Sequence, residues 1–315
     1  MKDYNERIAR LRLRKLAQTQ EKIRVEGALD EDDYGRIVPP PGVWHILPNN
    51  PDGSFYGYDA WADNFCDLMS VHPVYIDPDD AFAGRWMYFM SKMRPNKWNP
   101  DYPYDHLKEN TSRYIICGIG DDAHFAPDYE MGVRLGWGGL VERIEHWKKV
   151  NTTPEQQHFY ALHLRVIRAV QGWIQRHVDE ARRLAATCGD PEKKALLTEL
   201  ADMNERIISD APATLREACQ WIIWFHLASR TYNRDGAGGQ IDSLLRPFYE
   251  QDKANGILDD ETAVYYLACL LINDPIYWQL GGPDASGRDQ TSHISFLVGY
   301  STPLNAQRRA SRSPS

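Results

Sequence analysis

A predominantly helical α/β fold is predicted by three features of the sequence. Apolar residues recur at helical spacing through most of residues 128–272. A short apolar run, Tyr114–Ile119 (YIICGI), suits a buried strand and ends in a loop over Gly120–Ala123. Two glycine-dense turns, Asp235–Gly239 and Gly281-Gly282, break the helical pattern where an α/β fold changes from one kind of element to the other.

Taken in order, residues 1–26 read as a charged helix, and 27–56, rich in Pro, Gly and Asp, as an irregular arm. Residues 57–100 mix short aromatic helices with turns, and HPVYIDPDDAFAGRW (72–86) reads as an extended piece leading into a helix started by Asp79. After Pro127-Asp128, the residues Val133, Trp137, Leu140, Val141 and Ile144 share one helical face. From Pro154 to Cys188 the same period is kept by Phe159, Leu162, Val166, Val170, Ile174 and Val178, until Gly189-Asp190-Pro191 stops it. Helices are expected near 191–208, 214–230, 241–254 and 259–272, then an extended piece Ile276–Leu280 and a last, short helix over 288–299. The rings of Trp221, Trp224, Tyr265 and Tyr266 fall at helical spacing and are assigned to the core. Residues 301–315 carry three arginines, four serines and no aromatic or acidic residue, so they read as a disordered polar tail.

With 43% hydrophobic and 25% charged residues, the 315-residue chain has the composition of a globular protein able to bury a core. A net charge of −8 argues against nucleic acid or an anionic membrane as partner. No apolar run approaches the ~18 residues of a membrane span, and the charged N-terminus has no signal-peptide core, so the cytoplasm is expected. The five cysteines, Cys66, Cys117, Cys188, Cys219 and Cys269, are widely spaced, which points to free thiols rather than disulfides or zinc.

Three places could carry chemistry. His124 lies between a predicted strand and a predicted helix, near Asp121, Asp122 and Asp128. It reads either as an acid/base or substrate-orienting group, or as a histidine at a helix start with Asp128 on the helix dipole. A metal site built from these four residues has no supporting spacing. Asp242 follows the glycine-dense loop and either meets a ligand or caps the next helix. Asp284 follows Gly281-Gly282-Pro283 and either enters a pocket or forms an Asx-turn.

Four segments in collinear order resemble the pyruvate formate-lyase-like glycyl radical family: HPVYIDPDDAFAGRW (72–86), GDDAHFAPDYEMGVRLGWGGLVERIE (120–145), GGQIDSLLRPFYEQDKANGILDDETA (238–263) and QLGGPDASGRDQTSHISFL (279–297). The resemblance implies the N-terminal portion of a ten-stranded α/β barrel, with residues 1–300 as part of one such domain. It implies lyase or dehydratase chemistry on a small polar substrate, with His124 and Asp242 as catalytic residues and Gln279 and Asp284 as substrate-binding ones. It also implies a radical-carrying glycine, installed by a separate activating enzyme that uses S-adenosylmethionine and an iron–sulfur cluster. No metal or organic cofactor is expected within this chain, and a homodimer is the candidate assembly.

The sequence departs from the family pattern at Gln240, Ser243 and Ser292, which points away from pyruvate formate-lyase itself. The family's central cysteine loop and C-terminal glycine loop are not found, so the chain is expected to be truncated and inactive alone. The alternatives are a non-catalytic helical fragment or binding subunit, and a metal-dependent hydrolase centred on His124.

Overall fold

The structure is a computed structural model that describes residues 3–26, 36–88, 90, 105–113, 127–231, 237–273, 277–283 and 289–294. In chain order its elements are α1 (Tyr4–Glu26), α2 (Tyr58–Val71), α3 (Asp105–Ser112), α4 (Tyr129–Val150), α5 (Pro154–Thr187), α6 (Pro191–Ile207), α7 (Leu215–Arg230), β1 (Ala237–Gln240), α8 (Ile241–Ala254), α9 (Asp260–Asn273), β2 (Tyr277–Pro283) and β3 (Asp289–Ile294). The described part is therefore mostly helical, as expected, with one small sheet. The expected strand Tyr114–Ile119, the loop Gly120–Ala123 and the tail 301–315 lie outside the described residues.

The central helices each begin at a capping residue. Thr153 and Gln156 form a reciprocal capping box at the start of α5, with Pro154 at the first helical position. Asp190 accepts from the backbone N–H groups of Glu192 and Lys193 and opens α6. Thr214 and Glu217 form a second capping box on α7. Leu162, Val170, Ile174 and Val178 are buried along α5, as the periodicity predicts, whereas Phe159 near its start is 45% exposed. Helix α7 is buried on nearly every side, because α4, α5, α6, α8 and α9 all pack around it. Trp221, Trp224 and Tyr265 are buried in this core and Tyr266 packs against it.

Helix α4 is interrupted at Gly136, where the backbone adopts φ 63° and ψ 179°. A side chain there would meet the Asp210 carbonyl oxygen at 2.5 Å, so only glycine lets the chain pass. The residues beyond the break, Leu140, Val141 and Ile144, are only half-buried.

The expected helix from Asp79 does not form; residues 72–88 fold into a tight bend bridged by Ile76 and Ala83. The aspartates that suggest a helix start instead bind nearby backbone. Asp77 Oδ1 accepts from the Asp79 N–H at 3.0 Å, and Asp80 Oδ1 from the Phe82 N–H at 3.0 Å. Gly84, at φ +96°, then turns the chain while packed against Trp224 and Leu227 of α7.

The sheet has the order β1-β2-β3, with β1 and β2 parallel and β2 and β3 antiparallel. The helix expected over 288–299 is thus corrected to a strand across Asp289–Ile294. Its pairs run from Trp278↔Ile294 to Pro283↔Asp289, so non-local backbone pairing overrides the local helical pattern.

Helix α1 lies along α9. Tyr4 stacks on Tyr265 with ring centroids 4.3 Å apart, and Lys15 Nζ donates to the Ile272 carbonyl at the end of α9. Arg14 forms a two-pronged pair with Asp77 and reaches Asp79, which Arg10 also binds. Of the cysteines, Cys66, Cys188, Cys219 and Cys269 are free thiols, and burial pushes the thiols of Cys219 and Cys269 up. Cys117 lies outside the described residues.

Candidate functional site

The parallel pairing of β1 and β2 gathers candidate positions at one sheet edge. Gln240, the last residue of β1, stands opposite Gln279 in the central strand, and Gln279 is paired on its other side with His293. Helix α8 leaves directly from β1, so Asp242 lies in its first turn, where a carboxylate is favoured by the positive end of the helix dipole. The helix already begins at Ile241, so Asp242 sits inside the turn rather than at the cap position that one reading of the sequence assigned it. Asp284 follows immediately on Pro283, the end of β2, and itself lies outside the described residues. The carboxyl ends of adjacent parallel strands are where α/β folds form ligand crevices.

Helix α8 is held from three sides. Ile241 and Leu245 are buried in the core. Near its other end, Asp252 Oδ2 accepts from the Leu215 N–H at the start of α7 at 2.8 Å. Burial raises the Asp252 carboxyl, and the nearby Glu217 charge adds to this. Tyr249 donates to Asp260 at 2.7 Å, tying α8 to α9. Helix α8, whose first turn holds Asp242, is thereby tied to α7 and α9.

His124 lies outside the described residues, as do Asp121 and Asp122. Asp128, the fourth residue considered for a metal, accepts from the Met131 N–H at 2.9 Å and caps α4.

The sequence reading missed a buried ionic cluster between the 72–88 bend and α9. Arg85 donates to Asp80 at 2.9 Å, and Asn273 donates to the same oxygen at 2.8 Å. The Arg85 guanidinium lies 4.9 Å from the centre of the Tyr75 ring. The signal was available in the run DPDDAFAGR, where acidic density too high for a helix cap is followed by an arginine. A second buried group, His72 with His177, sits among Trp173, Trp224 and Tyr88.

A parallel strand pair with helix α8 packed on it, within a mostly helical body, places the described part in the α/β class. The family model "pyruvate formate lyase-like" matches residues 105–298, and the chain belongs to this glycyl radical enzyme family. It is 27% identical over 307 residues to isethionate sulfite-lyase of Bilophila wadsworthia, covering 84% of this chain and 36% of that protein. It is 29% identical over 190 residues to the 4-hydroxyphenylacetate decarboxylase glycyl radical subunit of Clostridioides difficile, covering 54% of this chain and 20% of that one. A glycyl radical enzyme from Archaeoglobus fulgidus superposes with a TM-score of 0.62 at 16% identity, over 94% of this chain and 46% of that structure. The chain thus spans roughly a third of the curated relative it matches along most of its length. Among the described residues, no helix is long and apolar enough to cross a membrane.

Proposed function

We propose that this chain is the N-terminal part of a glycyl radical lyase or dehydratase that cleaves a C–O, C–N or C–C bond in a small polar substrate. Residues 1–300 then form one portion of a ten-stranded α/β barrel. The reading rests on the family match across 105–298, and the β1–β2 pairing that sets Gln279 opposite Gln240, two residues before Asp242, supports it. Of the relatives' names, a decarboxylase describes C–C cleavage within this class, and a sulfite-lyase describes lyase chemistry on a different bond, C–S.

In this reading His124 gives a proton to the departing hydroxide or amine, which would otherwise leave as a strong base. Asp242 accepts hydrogen bonds from a hydroxyl or cationic group of the substrate. Gln279 and Asp284 orient its polar end. The glycyl radical supplies hydrogen abstraction at carbon. It is carried outside this segment and installed by an S-adenosylmethionine-dependent activating enzyme in the cytoplasm, and a homodimer is the assembly proposed for the whole protein.

The test uses a longer protein containing this segment, activated without oxygen and offered isethionate, 4-hydroxyphenylacetate and glycerol. Turnover of a small polar compound, with a glycyl signal in electron paramagnetic resonance, supports the reading. A chain that takes up the radical and processes none of the polar compounds offered counts against the substrate class. His124→Ala should then lower kcat by about a hundredfold to ten-thousandfold with the radical signal unchanged. Asp242→Asn should mainly raise KM.

A further inference from the structure

The two strands that carry the candidate site begin where α7 and α9 end. Thr231 closes α7 six residues before β1, and Asn273 closes α9 four residues before β2. The helices pack on each other, and the 72–88 bend also bonds to both. On the α7 side, Gln220 holds both backbone groups of Ala83, accepting from its N–H at 2.8 Å and donating to its carbonyl at 3.1 Å. On the α9 side, Asp80 accepts from Asn273 at 2.8 Å. Gln220 is 0% exposed, Asn273 5%, and the Asp80 side chain 0%.

Within the bend the two contacts are rigidly linked. Asp80 Oδ1 receives the Phe82 N–H, Oδ2 receives Arg85, and Gly84 is wedged against Trp224 and Leu227. Arg85 pairs with the buried Asp80 carboxylate at 2.9 Å, so the bond from Asn273 to the same oxygen is charge-assisted and directional. A charge buried at this cost is better suited to fixing a geometry than to adding stability.

We propose that Asp80, Arg85 and Asn273 are positioning residues that set where β2 leaves α9, and hence where Gln279 stands against Gln240 and the first turn of α8. The proposal rests on the functional reading only for the role of Gln279; the brace itself is a statement about the strand.

Hydrogen–deuterium exchange on the 315-residue chain tests it without turnover, so its failure is separable from failure of the proposed activity. In Asn273→Ala the backbone amides of Trp278–Gly282 should exchange about tenfold faster or more, as expected for a local opening released by loss of one buried charge-assisted bond. Amides of α5 and α6, such as Ile174 and Ala201, should keep their rates. Asn273→Leu fills the same space without a donor and should give the same pattern, and it is read by the same criterion if the alanine variant does not fold. Unchanged exchange in β2, or equal acceleration in β2, α5 and α6, overturns the proposal, because the bond then serves nothing or only global stability.

Discussion

The Nε2 atom of His177 accepts the backbone N–H of Tyr75 at 3.2 Å, so this histidine joins α5 to the 72–88 bend only while it is neutral. Its Nδ1–H is directed at the Trp173 carbonyl at 2.9 Å, which fixes the tautomer. Burial, with the charge of Arg176 nearby, lowers His177 to about 3 and its neighbour His72 to about 4. In the unfolded chain both take protons near pH ~6.5. Stability should therefore be flat above about pH 6.5 and fall on acidification towards pH 4, by up to about 1.4 kcal/mol per pH unit for each histidine. Urea melts at several pH values check this. His72→Phe should flatten the dependence, and an equally steep profile in that variant would exclude His72 as a contributor.

Two glycines should respond in opposite directions to alanine. Gly172 lies in α5 with open space where a Cβ would go, so Gly172→Ala should stabilise by about 0.5–1 kcal/mol through the unfolded chain. At Gly84, φ is +96° and a Cβ would sit 2.7 Å from Leu227 and Trp224, so Gly84→Ala should cost about 1–3 kcal/mol or more. Thermal melts of the two variants should move apart; movement in the same direction would refute the geometry assigned to Gly84.

Asp252 offers a test with a pH signature. Its carboxyl is raised, so the charged form costs stability once the pH rises above the unfolded carboxylate range, and the cost is absent below it. Asp252→Asn keeps an oxygen for the Leu215 N–H and carries no charge. It should match or exceed the parent at pH 7, with the difference closing near pH 4. Asp252→Ala leaves that N–H unpaired and should cost about 1–3 kcal/mol. An Asn variant less stable than the Ala variant at pH 7 would contradict this account.

At the start of α7, Glu217 accepts from the N–H groups of Ala213 and Thr214 and pairs with Arg206 of α6. Thr214→Ala should cost about 1 kcal/mol, as a lost cap does, whereas Glu217→Ala should cost more because it removes the acceptor of two backbone N–H groups together with the ion pair to Arg206. Chemical denaturation ranks the two, and the reverse order would contradict this account of Glu217.

The helices from α4 to α9 were legible because their determinants are local: caps at Asp128, Thr153, Asp190 and Thr214, and a 3.6-residue apolar period between them. The bend at 72–88 was not, because the turns made by Asp77 and Asp80 are held by Arg14 and Asn273, which arrive from distant parts of the chain, as well as by the local Arg85. Strand β3 was misread for the same reason, since its partner β2 decides its conformation. At the site, the residues themselves singled out Asp242 and the family resemblance added Gln279, while the register that sets Gln279 opposite Gln240 is a property of the fold alone.

The attachment of α1 has a consequence for solution conditions. Its arginines, Arg10 and Arg14, are 43% and 37% exposed, so their attraction to Asp77 and Asp79 passes partly through solvent that mobile ions can enter. At physiological ionic strength such attractions are already screened beyond about 8 Å, and concentrated salt shortens that reach further. The stacked Tyr4 and Tyr265, held by dispersion and exclusion of water, do not weaken in this way. Salt should therefore loosen α1 along its arginine side before it peels from the tyrosines, a helix hinged at one end by rings and latched along its length by charge.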